Sequence, residues 1–243
     1  MSDFLLVLLI ALFASFLTYL GAPIAERFAV SQKVVSAVLQ FAAGIITALV
    51  AFTLMPPAVR GGSYGWIILA FFIGGVLYVA LEYTSTRALS GGPTAEKGAT
   101  SFGLYIGVLA DLLIDGMVIG IGSTLTLKTG LLLALGLAIS TAPLAFVTIS
   151  AAKRQGMSQK NRRLLSLLFI VAMTGGALVG YLVLNNQSLE IRFILAALAS
   201  GFLLTTVVQG IIPEANREGE PGFAGVLYIG GLSLYALMSM VLK

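Results

Sequence analysis

Apolar residues run along the chain in eight blocks, at 4–25, 34–56, 64–86, 102–124, 129–151, 163–185, 191–213 and 222–242, each followed by a short polar connection. About 20 mostly apolar residues are what a helix needs to cross the hydrocarbon core of a bilayer. The pattern therefore predicts an all-α polytopic membrane protein with eight transmembrane helices. The first block has only Asp3 ahead of it, lacks a basic leader and is too long for a signal-peptide core, so it reads as a span. The longest connection, near 87–101, is Gly-rich at Ser90, Gly91, Gly92 and Pro93. It leaves no room for a soluble domain, and residues 1–243 are expected to form one transmembrane domain.

The pattern also repeats at an offset of 157 residues. Phe41-Ala-Ala-Gly44 and Met55-Pro56-Pro57-Ala58 run against Leu198-Ala-Ser-Gly201 and Ile212-Pro213-Glu214-Ala215. The register continues without gaps, so that Arg60, Gly62, Gly65, Gly74, Leu77 and Tyr78 meet Arg217, Gly219, Gly222, Gly231, Leu234 and Tyr235. Residues 42–81 carry 11 identities to 199–238. Spans 2 and 3 thus resemble spans 7 and 8, and the Lys and Arg count puts Arg60 outside and Arg217 inside, so the copies are expected to be inverted. The expected arrangement is 3+2+3: a first three-helix repeat over 1–89, a central pair over 102–153 and a second repeat over 162–243. Inverted repeats are common in transporters, whose substrate sites lie at the repeat interface near mid-bilayer.

Composition narrows the function classes. Hydrophobic residues make up 58% and charged residues 10% of the chain, against roughly 25% charged in soluble domains. A nucleic-acid binder and an ordinary soluble enzyme are excluded. There is no Cys and no His, which removes disulfides, thiolate chemistry and the usual general base and transition-metal ligand. No P-loop, GxSxG or dinucleotide fingerprint is present, so neither an ATP-driven pump nor a hydrolase is supported, and the chain is not expected to be an enzyme. Lys and Arg set the expected orientation. Arg27, Lys33, Arg87, Lys97, Lys153, Arg154, Lys160, Arg162, Arg163 and Arg217 fall on one side, and Arg60, Lys128, Arg192 and Lys243 on the other. The first group is expected inside, with both termini outside and the cell membrane as the location.

Of the ten acidic residues, Asp3, Glu96, Glu218 and Glu220 lie in tails or loops, and Glu26, Glu82, Glu190 and Glu214 lie near span ends. Asp111 and Asp115 remain in the middle of span 4. A spacing of four puts both carboxylates on one helix face. Each mid-membrane acid costs about 2.5–3.5 kcal/mol on insertion scales, and two like charges so close resist joint ionisation. A bridging divalent cation resolves the conflict; so does proton exchange, or a protonated pair hydrogen-bonded to neighbouring helices. Ser140 and Thr141 beside Pro143 in span 5, and Gln209 in span 7, are weaker candidate ligands. Hydroxyls in membrane helices commonly bond their own backbone. Gly116, Gly120 and Ser123 form a small-residue stripe that suits close helix packing.

Span 7, ending Gly210-Ile-Ile-Pro-Glu-Ala215, resembles the ZIP family of metal transporters, whose corresponding span ends near E-L-I-P-E-A. Span 4, Asp111-Leu-Leu-Ile-Asp-Gly-Met-Val-Ile-Gly120, is similar to the family's H-N-x-P-E-G-x-A-I-G, with Asp111 in the His place and Asp115 in the Glu place. Span 5, Ser140-Thr-Ala-Pro143-Leu144-Ala145, keeps only the proline of H-x-x-P-E-G. The turn Gly156-Met-Ser158 also looks like the family. The resemblance implies eight spans, both ends outside, and alternating-access transport of a divalent cation. The ion would be substrate; no resident cofactor is implied. Leu112 and Leu144 replace family ligands, and the His-rich loop between spans 3 and 4 is absent. One carboxylate-lined site of oxygen ligands is then expected, favouring hard ions such as Mn(II) or Mg(II). The expected partners are the cation, the bilayer and, through Gly-rich faces on spans 3 and 8, a second copy of the chain. The alternative is a ZIP-like scaffold or regulator that has lost its metal ligands.

Overall fold

The computed structural model describes residues 3–28, 31–89, 97–217 and 222–242. The connection Ser90–Pro93, Glu96, Glu218, Gly219, Glu220 and Lys243 lie outside the described residues. Among the described residues there are eight helices long and apolar enough to cross a membrane, and no strand. We label them α1 (Asp3–Arg27), α2 (Gln32–Gly61), α3 (Tyr64–Leu89), α4 (Lys97–Leu125), α5 (Leu127–Arg154), α6 (Gln159–Leu184), α7 (Leu189–Ala215) and α8 (Ala224–Val241).

The helix ends follow local chemistry. Thr126, Ser158 and Ser188 cap α5, α6 and α7, each side-chain oxygen accepting from the backbone N–H three residues on. The α5–α6 turn is closed by Gly156 at φ 79°, with the Met157 N–H donating to Ala152 and the Gly156 N–H to Lys153. This double bond at a left-handed glycine satisfies the last carbonyls of α5. α5 runs unbroken through Pro143, whereas α2 and α7 meet their prolines differently. In each, a π-helical turn (Val50–Leu54 and Thr206–Ile211) directly precedes the proline segment. The Met55 N–H donates to Val50 and the Ile212 N–H to Val207, both five residues back. The register change lets the helix run on through Pro56 and Pro213, which have no N–H to give. The two turns stand 157 residues apart, at the sequence offset.

Close helix contacts recur at the same offset. A Cβ placed on Gly44 would lie 1.9 Å from the Tyr228 carbonyl oxygen, and one on Gly201 would lie 1.8 Å from that of Phe71. A Cβ on Gly74 would lie 1.9 Å from Leu198 O, and one on Gly231 would lie 2.0 Å from Phe41 O. In each case one member shifts up and the other down by 157, exchanging the two copies, so α2 sits on α8 as α7 sits on α3.

In space the helices group four and four. α2, α3, α7 and α8 form one group, and α1, α4, α5 and α6 form the other. Its most extensive contact joins α4 to α6. The sequence stripe explains this: Gly116 and Gly120 face the carbonyls of Met173 and Ala177, while Gly176 and Gly180 face those of Leu113 and Met117. With no side chain between them, the backbones approach to packing distances that only small residues permit. The groups meet along α2–α5, α3–α4 and α4–α7. α3 and α8 are the least buried spans, with Phe72, Val226 and Met240 turned outward as lipid-facing helices require.

Candidate functional site

α4, which carries both mid-span acids, packs against α3 and α7 of the other group. Asp115 is 2% exposed and Asp111 is half-buried. They are close enough for their charges to interact. Asp111 also lies within electrostatic reach of Tyr78 on α3. Among the described residues neither carboxylate meets a hydrogen-bond donor or a cationic partner, whereas Glu26 pairs with Arg162 and Glu214 with Arg217. Two unpaired carboxylates in a poorly hydrated setting make a strong oxygen-donor site.

The other candidates are placed differently. The Ser140 hydroxyl is buried and donates to Leu137 O at 3.0 Å. Thr141 donates to the same carbonyl at 2.8 Å and lies 2.7 Å from the Thr18 hydroxyl of α1. Thr18 also contacts the sulfur of Met173 at 3.6 Å, and Ser15 meets Thr174 at 2.8 Å. This chain of hydroxyls ties α1 to α5 and α6, and its oxygens are already engaged. Gln209 sits on the π-helical turn of α7 with its side chain exposed. It is not held in an interhelical bond among the described residues. Within the set Asp111, Asp115, Ser140, Thr141 and Gln209, the two aspartates are the pair whose charges lie within interaction range of each other.

Tyr78 is the site group that reading the blocks misses, although the repeat points to it by aligning Tyr78 with Tyr235. The Tyr235 ring is fully buried, its hydroxyl is 2.9 Å from Thr53 Oγ1, and its edge packs on Gly136 of α5. Tyr78 stands in the equivalent place against Gly210, the counterpart of Thr53, where a Cβ would lie 2.8 Å from the Tyr78 hydroxyl oxygen. Its ring meets Phe202 edge-on at 5.2 Å. With glycine in place of threonine, the hydroxyl loses the partner that Tyr235 keeps. It is left beside the acidic helix as a neutral donor and acceptor.

No group of three or more His, Cys, Asp or Glu side chains able to hold a metal ion occurs among the described residues. Two carboxylates supply part of a coordination shell. Small hard cations such as Mg(II) are often bound through one or two carboxylates while retaining several waters, and the donor set here has that character.

At the far end of α1, Glu26 is held by Arg162, with Nε–Oε1 at 2.5 Å and Nη2–Oε2 at 2.9 Å, and Lys153 donates to the Glu26 carbonyl at 2.9 Å. Arg162 also donates to the Met157 carbonyl. This fork fastens α1 to the α5–α6 turn and uses charges that are then not offered to a ligand. No protein-family model and no curated protein matches the chain.

Proposed function

We propose that the chain is a ZIP-like membrane transporter that moves a divalent cation by alternating access, with Asp111 and Asp115 as the ion-binding pair. The observation that carries this reading is a carboxylate pair on one span, Asp115 buried and Asp111 half-buried, without a protein counter-charge among the described residues. Apolar residues would pack there at lower cost, and a doubly charged ion neutralises both groups at once. Tyr78 on α3, within electrostatic reach of Asp111, adds a neutral oxygen near the pair. The matched π-helical turns and glycine contacts at one offset support treating spans 1–3 and 6–8 as an inverted pair. Such symmetry gives a chain two related arrangements that open a central site to opposite sides. The basic loops orient the chain with both termini outside, in the cell membrane.

The test is uptake of Mn(II), measured by elemental mass spectrometry in proteoliposomes, for the wild type and for Asp111→Asn with Asp115→Asn. Loss of uptake in the double variant supports the reading, and undiminished uptake removes the pair from the mechanism. A second reading, a non-transporting ZIP-like scaffold, draws on the engaged hydroxyls of Ser140 and Thr141 and on Leu144 at a family ligand position. It predicts no uptake of any divalent ion and no metal bound to the purified protein.

A further inference from the structure

A second polar feature lies away from the carboxylates, at the ends of three spans. A cavity of about 350 Å³ opens between the start of α2, the end of α5 and the end of α7. Sites for small ligands commonly fall at about 300–1,000 Å³. Its rim carries Arg154, Arg217, Gln32 and Ser150, with Glu214 among them. Val35, Phe146 and Val147 line it further along the same helices, nearer the middle of the spans. The wall is therefore graded, charged at headgroup depth and apolar one to two turns inward.

The charge is net positive. Glu214 engages Arg217 at 3.6 Å, but both side chains are open to solvent, at 36% and 72% exposure, and a pair that long and that wet yields readily to a better acceptor. Arg154 is exposed and has no ion-pair partner among the described residues. Two guanidiniums repel a divalent cation and suit a phosphate, whose oxygens accept from the planar donor fork. A charged head with an apolar continuation at the membrane surface is the chemistry of an anionic phospholipid, and basic pockets between membrane helices bind such headgroups.

We infer that this cavity is a binding site for the phosphate headgroup of an anionic phospholipid, held by Arg154 and Arg217, with the start of the acyl chains over Val35 and Phe146. The walls come from both four-helix groups, α5 from one and α2 and α7 from the other. A lipid seated there braces one group against the other. The inference rests on the membrane architecture alone and stands whether or not the chain moves an ion.

The experiment is native mass spectrometry of the full chain, purified from vesicles of phosphatidylcholine with phosphatidylglycerol and then delipidated in steps. The wild type should retain phosphatidylglycerol after phosphatidylcholine is stripped. Arg154→Gln with Arg217→Gln should weaken retention about tenfold or more, and Arg154→Lys with Arg217→Lys should restore much of it. Ala151 also lines the cavity, and Ala151→Leu, which narrows it without changing charge, should reproduce the loss and serves if the glutamine variant does not fold. Equal retention of the two lipids, or unchanged retention in both the glutamine and the Ala151→Leu variants, overturns the proposal. Displacement of the lipid by free glycerol phosphate at matched concentration overturns the lipid as the source of the phosphate.

Discussion

Two adjacent glycines on α6 offer a test of the α4–α6 contact. A Cβ on Gly176 would lie 2.0 Å from the Leu113 carbonyl oxygen, 2.9 Å from its carbon and 3.1 Å from the Met117 nitrogen, all of them backbone. A comfortable carbon–oxygen approach is about 3.3 Å, so Gly176→Ala must part the helices locally by about 1.3 Å (3.3 − 2.0). Gaps of about 0.5–1 Å already forfeit a quarter to a half of the dispersion energy of the atoms involved. Overpacking of this kind costs about 1–3 kcal/mol, and the rigid backbone partner puts the cost near about 3. Alanine returns about 1 kcal/mol through helix propensity, leaving a net loss of about 2 kcal/mol by these estimates. Gly175 has nothing within 4 Å. Gly175→Ala should therefore keep the propensity gain and be unchanged or slightly stabilised, separating the neighbours by about 3 kcal/mol. Unfolding in mixed micelles titrated with sodium dodecyl sulfate and followed by circular dichroism measures both variants. Equal midpoints for Gly176→Ala and Gly175→Ala would refute the close approach of α4 and α6.

The two equivalent tyrosines should respond differently. Tyr235→Phe strands the buried Thr53 hydroxyl and should cost about 1–3 kcal/mol in the same titration, whereas Tyr78→Phe should leave stability nearly unchanged and slow Mn(II) uptake; equal stability losses would contradict the unequal partners. Breaking the Glu26–Arg162 fork by Glu26→Gln should destabilise the protein by about 1.5–3 kcal/mol, with proteolysis of the α5–α6 turn as the local readout; no change in cleavage rate would show that the fork does not anchor it. Asp115→Asn removes an ionisable group from a buried position and should hold or raise stability while abolishing uptake, a split opposite to that of a structural acid; a fall in stability together with uptake would assign Asp115 to packing.

The amino-acid pattern located all eight spans to within a few residues, because crossing a bilayer demands long apolar runs whatever their neighbours. It placed the end of span 2 at residue 56, whereas the helix continues to Gly61. A proline ordinarily argues for a helix end, and the π-helical turn that accommodates it has no mark in the hydrophobic pattern. The acid pair was legible for the same reason as the spans: carboxylates stand out in oil. The four-and-four grouping was not. In a bilayer, faces toward lipid and faces toward protein are equally apolar, so periodicity does not separate the outward side of α3 from the inward side of α4. Gln209 illustrates the limit, since its depth is readable from the chain but its exposed direction is not. The engagement of Thr141 by Thr18 is equally hidden, depending on residues 123 apart that no local pattern links.

The glycine ladder between α4 and α6 also limits how α4 can shift within the bundle. Where helices touch through side chains, repacking rotamers lets one slide on the other. Here carbonyls abut Cα atoms at Gly116, Gly120, Gly176 and Gly180, and no layer of rotamers is left to act as a bearing. The ladder removes that articulation, so any stroke that displaces Asp111 and Asp115 must carry α6 along with them, and the compliant seams must lie on the other flanks of α4, toward α3 and α7.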